Sequence, residues 1–143
     1  MQNAIERLEN AVEHDPALAI GTAKELVESC CKTILRERKV NVPKSADMPK
    51  LTKMLAAELK LVPEEISEKA KGANTIRRIL TNLSALSQYL AELRGLYGSG
   101  HGRDGKHRGL QPRHARLAVG ASVAFIDFVT ATHREQDETG SRD

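Results

Sequence analysis

The feature that most restricts how this 143-residue chain can fold lies between residues 76 and 97. Ile76, Ile79, Leu83, Leu86, Leu90, Leu93 and Tyr97 follow one another at steps of 3, 4, 3, 4, 3 and 4. That rhythm winds apolar residues onto one side of an α-helix, whereas a strand repeats every second residue. A seam of this length is what helix bundles bury.

The same rhythm recurs along the chain. Residues 2–14 carry Ile5, Leu8 and Val12. Asp15 and Pro16 read as the N-cap and first residue of a second helix to about Lys39, with Ile20, Ala23, Val27, Cys30 and Ile34 inward. A loop around Pro43 leads to Asp47, the cap of a third helix through Leu61 that faces inward with Leu51, Met54, Leu55 and Leu59. Val62 to Glu65 reads as a break, followed by a short helical piece to about Lys71. After the long seam, Gln111 and Pro112 restart a last helix with an inner stripe of Leu117, Ala121, Phe125, Phe128 and Thr132. From Glu135 onward the residues are polar and read as a disordered tail. No stretch alternates as a strand would. The expected fold is all-α: an up-and-down bundle of four long helices plus short ones. It forms one domain over residues 1–134, with 135–143 as the tail.

A chain of this length buries enough surface to need no disulfide or metal. Its two cysteines, Cys30 and Cys31, are adjacent within a helical pattern, a poor geometry for a structural disulfide. They read as small apolar residues of a reducing compartment. No run approaches the ~20 apolar residues of a membrane span, and residues 2–15 are amphipathic rather than signal-like. A cytoplasmic protein without membrane contact is expected.

Net charge is only +3, but the basic residues are concentrated. Between Arg94 and Arg116 there are six Arg or Lys against one acid, Asp104, and three of the five histidines lie there. Five glycines fall within residues 98–109. Glycine lets the backbone adopt positive φ and lets a ligand come close. Such a basic loop attracts phosphate-bearing partners; the plainer alternative is a solvated turn. With only four aromatics, and Tyr97 alone near the loop, base stacking is not how it would hold nucleic acid.

Three chemistries compete for the loop. Residues 100–106 match G-x-x-x-x-G-K, but His107 follows where a phosphate-binding loop needs Ser or Thr, and a helix precedes where a strand is needed. A metal site from His101, His107 and His114 would sit among arginines and lysines that repel a divalent cation. The third is the pair Arg94 and His101. An arginine holds a phosphate through two donors, and a histidine moves protons near neutral pH. Together they suffice for RNA cleavage with the ribose 2′-OH as nucleophile, without metal or cofactor. By spacing alone, a helix-end contact plus a loop histidine is the better account of the pair.

Residues 94–101 resemble the R-x4–6-H motif of HEPN domains. Residues 91–94, 97–103, 112–118 and 23–32 together resemble the C-terminal domain of abortive-infection proteins, Abi-C. The resemblance implies a helical bundle that forms a homodimer, with two Arg/His pairs in one shared cleft. It implies a metal-independent endoribonuclease of phage defence or a toxin–antitoxin system, with an antitoxin or larger defence protein as a possible partner. The alternative is an inactive RNA- or protein-binding module of such a system. On this resemblance Arg94 and His101 are catalytic. Arg103, Lys106, Arg108, Arg113, His114 and Arg116 bind RNA. His114 is also the second choice as proton donor or, alternatively, a helix-capping or packing residue. Glu28 either orients Arg94 or faces solvent.

Overall fold

The computed structural model describes residues 2–59, 69–97 and 110–142. All regular structure among them is helical: α1 (Gln2–His14), α2 (Pro16–Glu37), α3 (Met48–Glu58), α4 (Lys69–Tyr97) and α5 (Pro112–Arg142). α5 packs against α1, α2 and α4, while α2 also touches α1, α3 and α4.

The helix boundaries follow from local chemistry. The Leu18 amide donates to the Asp15 carboxylate at 3.1 Å and the Lys50 amide to Asp47 at 3.0 Å. Each satisfies an N–H that the helix itself leaves open. α2 closes with the Val40 amide donating to the Leu35 carbonyl and the Lys39 amide to Arg36, both at 2.9 Å. Lys39 takes a φ of 62° there, the left-handed turn of a Schellman ending.

The core divides into two clusters along the bundle. One joins the second half of α2 (Val27, Cys31, Ile34, Leu35) to α3 (Leu51, Leu55), Leu80 of α4 and Phe125, Ile126 and Val129 of α5. The other joins α1 (Leu8, Val12), the first half of α2 (Ala19, Ile20, Ala23), Leu90 of α4 and the start of α5 (Leu110, Ala115, Ala118, Val119). The expected inner residues of α1 and α2 are all buried.

The structure corrects five boundaries and registers. α3 stops at Glu58 rather than Leu61. Leu59 leaves the helix with extended backbone, which lets its side chain plug the core. α4 begins at Lys69, so residues 69–75 belong to the long helix and not to a separate piece. They contain no proline, and Gly72 costs only about 1 kcal/mol relative to alanine. The rest of the expected break and short piece lies outside the described residues. In α4, Leu80 is buried at 2% exposure while Ile79 is 51% exposed. Leu90 is buried as expected, and Ile76, Leu83 and Leu93 pack partly buried on the core, so the buried side of α4 takes in Leu80 beside the expected seam. In α5, Ala121 and Phe125 are buried as expected, but Leu117 and Phe128 are exposed, and Ala115, Ala118, Ser122 and Val129 complete the buried side. Its small residues let α5 approach the alanines of α2 closely. Residues 135–142, read as tail, continue α5 to Arg142. No proline interrupts that stretch.

By length and hydropathy Pro112–Gln136 would be apolar enough to cross a membrane. Here it is the helix on which three others pack, and this accounts for its composition.

At the end of the bundle away from the basic loop, one side chain ties three helices. Arg38 donates through Nε to Nδ1 of His133 at 3.1 Å, to the Glu58 carbonyl at 3.1 Å, and to the Gln136 amide oxygen. With Nδ1 accepting, the hydrogen of His133 sits on Nε2 and donates to Glu37 at 2.7 Å.

The corrected register is tested by two truncations. Leu80→Ala is expected to lower unfolding free energy by about 2–5 kcal/mol and Ile79→Ala by about 0.5 kcal/mol, read by urea titration. A second test uses the buried thiols. Burial, with Cys30 and Glu28 nearby, pushes the Cys31 thiol from 9.0 up to about 12. The unfolded chain therefore releases this proton at lower pH than the folded one. Stability is full below pH 9 and falls as pH rises toward 12. Cys31→Val should make that alkaline decline shallower.

Candidate nucleic-acid interface

The interface is built on the second core cluster. Leu90 and Leu93 of α4 pack with Leu110, Ala115 and Val119, so the end of α4 lies beside the start of α5. Both ends of the basic segment are thereby held at one end of the bundle. Arg94 lies in α4 four residues after Leu90 and one turn before the helix ends. His101, Arg103, Lys106 and Arg108 lie outside the described residues.

The first turns of α5 supply the rest. Arg113 is exposed in the first turn, where amides and helix dipole favour anions. Arg116, one turn on, is exposed and pairs with Glu13 of α1. This ion pair braces α1 against α5, and nothing in either local sequence announces it, since the partners are 103 residues apart. Both side chains are more than half exposed, so the pair adds little stability and Arg116 can exchange Glu13 for another anion.

His114 is half-buried, and its Nδ1 accepts the Gln111 amide at 2.9 Å. Gln111 is the N-cap, Pro112 the first helical residue and His114 the third. The histidine therefore takes the part that Glu or Gln plays in a capping box. Nε2 then carries the hydrogen of the neutral ring and is the nitrogen left to donate. Gln-Pro-x-His at the helix start was the readable signal for this cap. Glu28 sits half-buried on α2 and pairs with Lys24 one turn earlier at 3.8 Å. Among the described residues no three His, Cys, Asp or Glu side chains gather as a metal site requires.

Residues 1–133 match a protein-family model, Abi_C, described as a HEPN-like domain. The chain belongs to the Abi_C family. The match covers α1 through His133 of α5, both core clusters included. It ties this HEPN-like domain to abortive-infection-type defence or an RNA-related role. No curated protein and no solved structure matches the chain significantly.

The cap makes its own prediction. His114→Ala should cost about 1 kcal/mol in thermal or urea unfolding, while His114→Gln, which restores an acceptor at the third helical position, should recover most of it. An alanine variant as stable as the parent would show that the cap carries no energy.

Proposed function

We propose that this HEPN-like domain is a metal-independent endoribonuclease acting in abortive-infection-type defence or as the toxin of a toxin–antitoxin pair. The observation that carries the reading is the junction of α4 and α5. Leu90 and Leu93 against Leu110 and Ala115 bring the turn bearing Arg94 and the turn bearing Arg113 to the same end of the bundle. In the sequence, residues 98–109 join these two turns and include His101.

The chemistry balances without a cofactor. The ribose 2′-OH attacks the adjacent phosphorus and its proton passes to a base. The P–O5′ bond breaks, and O5′ receives a proton. His101 serves as the proton-transfer group, and Arg94 neutralises the charge that grows on the non-bridging oxygens. Arg103, Lys106, Arg108, Arg113 and Arg116 hold the flanking phosphates. Since the base and the acid are two groups, a second copy of the chain supplies the second one in a shared cleft. Tyr89 (65% exposed) and Leu96 (78% exposed), on the turns of α4 that lead into the loop, are the apolar surface that supports such a dimer.

The test is cleavage of single-stranded RNA or tRNA in excess EDTA. The parent should cut and leave 2′,3′-cyclic phosphate and 5′-hydroxyl ends. His101→Ala should lose about 10²–10⁴ in rate and Arg94→Ala about 10²–10³. Equal rates for all three proteins would remove the assignment. Salt-sensitive RNA binding without cleavage would make the domain a binding module instead.

A further inference from the structure

A stripe of small and apolar residues on α5 is exposed. Leu117, Gly120, Ala124, Phe128 and Ala131 are all exposed. They recur at steps of 3, 4, 4 and 3, so they form a single stripe along the helix. Leu117 is 52% exposed and Phe128 38% exposed, and the charged Arg116, Asp127 and Arg134 flank the stripe on the same solvent side. Arg113 extends the stripe at one end and Glu135 at the other, both exposed. Beside the stripe runs an apolar groove of about 560 Å³ between α1 and α5, walled by Val12, Val119 and Val123 with Gly120 and Ala124 along its floor. A side-chain carbon added at Gly120 would meet nothing within 4 Å.

The order of residues on this face is complementary to itself when reversed. Antiparallel pairing about a two-fold axis at Ala124 sets position 113 against 135, 117 against 131, and 120 against 128. Arginine then faces glutamate, leucine faces alanine, and phenylalanine faces glycine. Each large side chain meets a small one, and the Phe128 ring enters the open groove over Gly120. The charges at the two ends attract, and the helix dipoles run opposite. Small residues at the centre let two helix backbones approach closely. A symmetric interface needs such a self-complementary patch.

We infer that α5 pairs with α5 of a second copy of this chain through this stripe. The contact differs from the one in the proposed function. It places the two Arg113 residues 22 positions apart along the paired helices, about 33 Å, so the two basic loops lie at opposite ends. It therefore stands whether or not the loop cuts RNA. Where the α4 contact forms as well, each chain has two symmetric faces and the assembly is at least a tetramer. Arg113 has five N–H donors, enough for a carboxylate and a phosphate together.

Two measurements decide it. In the first, single cysteines are introduced at Ala124 and, separately, at Leu117, and the full chain is oxidised mildly. The native Cys30 and Cys31 are buried and stay out of the reaction. Ala124→Cys sits on the axis and should give a covalent dimer on a denaturing gel. Leu117→Cys lies about 21 Å from its copy in this pairing and should not. Absence of the dimer at 124, or equal cross-linking at both positions, overturns the inference. In the second, light scattering compares the parent with Gly120→Glu and Leu96→Glu, each checked for an unchanged helical spectrum. Gly120→Glu should halve the parent mass, and Arg113→Glu should lower it, with Glu135→Arg in the same chain restoring it. An unchanged mass for Gly120→Glu overturns the α5 contact. An unchanged mass for Leu96→Glu, with the Gly120 variant halved to a monomer, instead removes the α4 dimer of the proposed function and leaves the α5 contact standing.

Discussion

The close packing of α5 on α2 carries the rest of the structure. At the loop end the contact is made of small side chains, Ala19 and Ala23 on α2 with Ala115 and Ala118 on α5. Farther along, Phe125 and Val129 fill the space against Val27, Cys31 and Leu35. With those two helices fixed, α1 has one place to put Leu8 and Val12, and α4 has one place for Leu80 and Leu90. Interiors packed to crystal-like density resist gradual adjustment, so these contacts leave little freedom in how the other helices dock.

The bundle has two kinds of end. One end is locked by Arg38, whose guanidinium joins α2 to the carbonyl at the end of α3 and to His133 and Gln136 of α5. The other end has no comparable clasp among the described residues. There the tie between distant helices is the exposed pair of Arg116 and Glu13, which yields easily to a competing anion. In the chain's helix order, the glycine-rich, basic residues 98–109 join α4 to α5 at this end. This is a rational place for phosphate chemistry, and the family of HEPN-like domains to which the chain belongs is linked to abortive-infection-type or RNA-related roles.

Much of the fold was legible in the sequence because it is written in caps and periodicity. Asp15 and Asp47 mark their helices by a side-chain oxygen at the right place, and the stripes of α1 and α2 admit one register. The long helices α4 and α5 were harder for a physical reason. Each has apolar residues on more than one face, so periodicity alone put Ile79 inward in place of Leu80, and Leu117 and Phe128 inward together with Phe125. Only the neighbours, three helices in each case, decide. The end of α3 escaped because Leu59 continues the pattern while leaving the helix. Of the site, Arg94 and Arg113 were placed by the ends of their helices, and the cap formed by His114 was readable from Gln111 and Pro112. The pairing of Arg116 with Glu13 was not, since an ion pair between the first and last helices leaves no local trace.

The central claim is that phosphate is held where α4 ends and α5 begins. The most direct measurement is a two-dimensional amide NMR titration of the full chain with a short 2′-O-methyl RNA, which binds without being cut. The account predicts shift changes, weakening with added salt, that concentrate on residues 90–97 and 110–117. Changes centred on Arg38, Glu58 and His133 at the opposite end, or none at concentrations where RNA is bound, would contradict it.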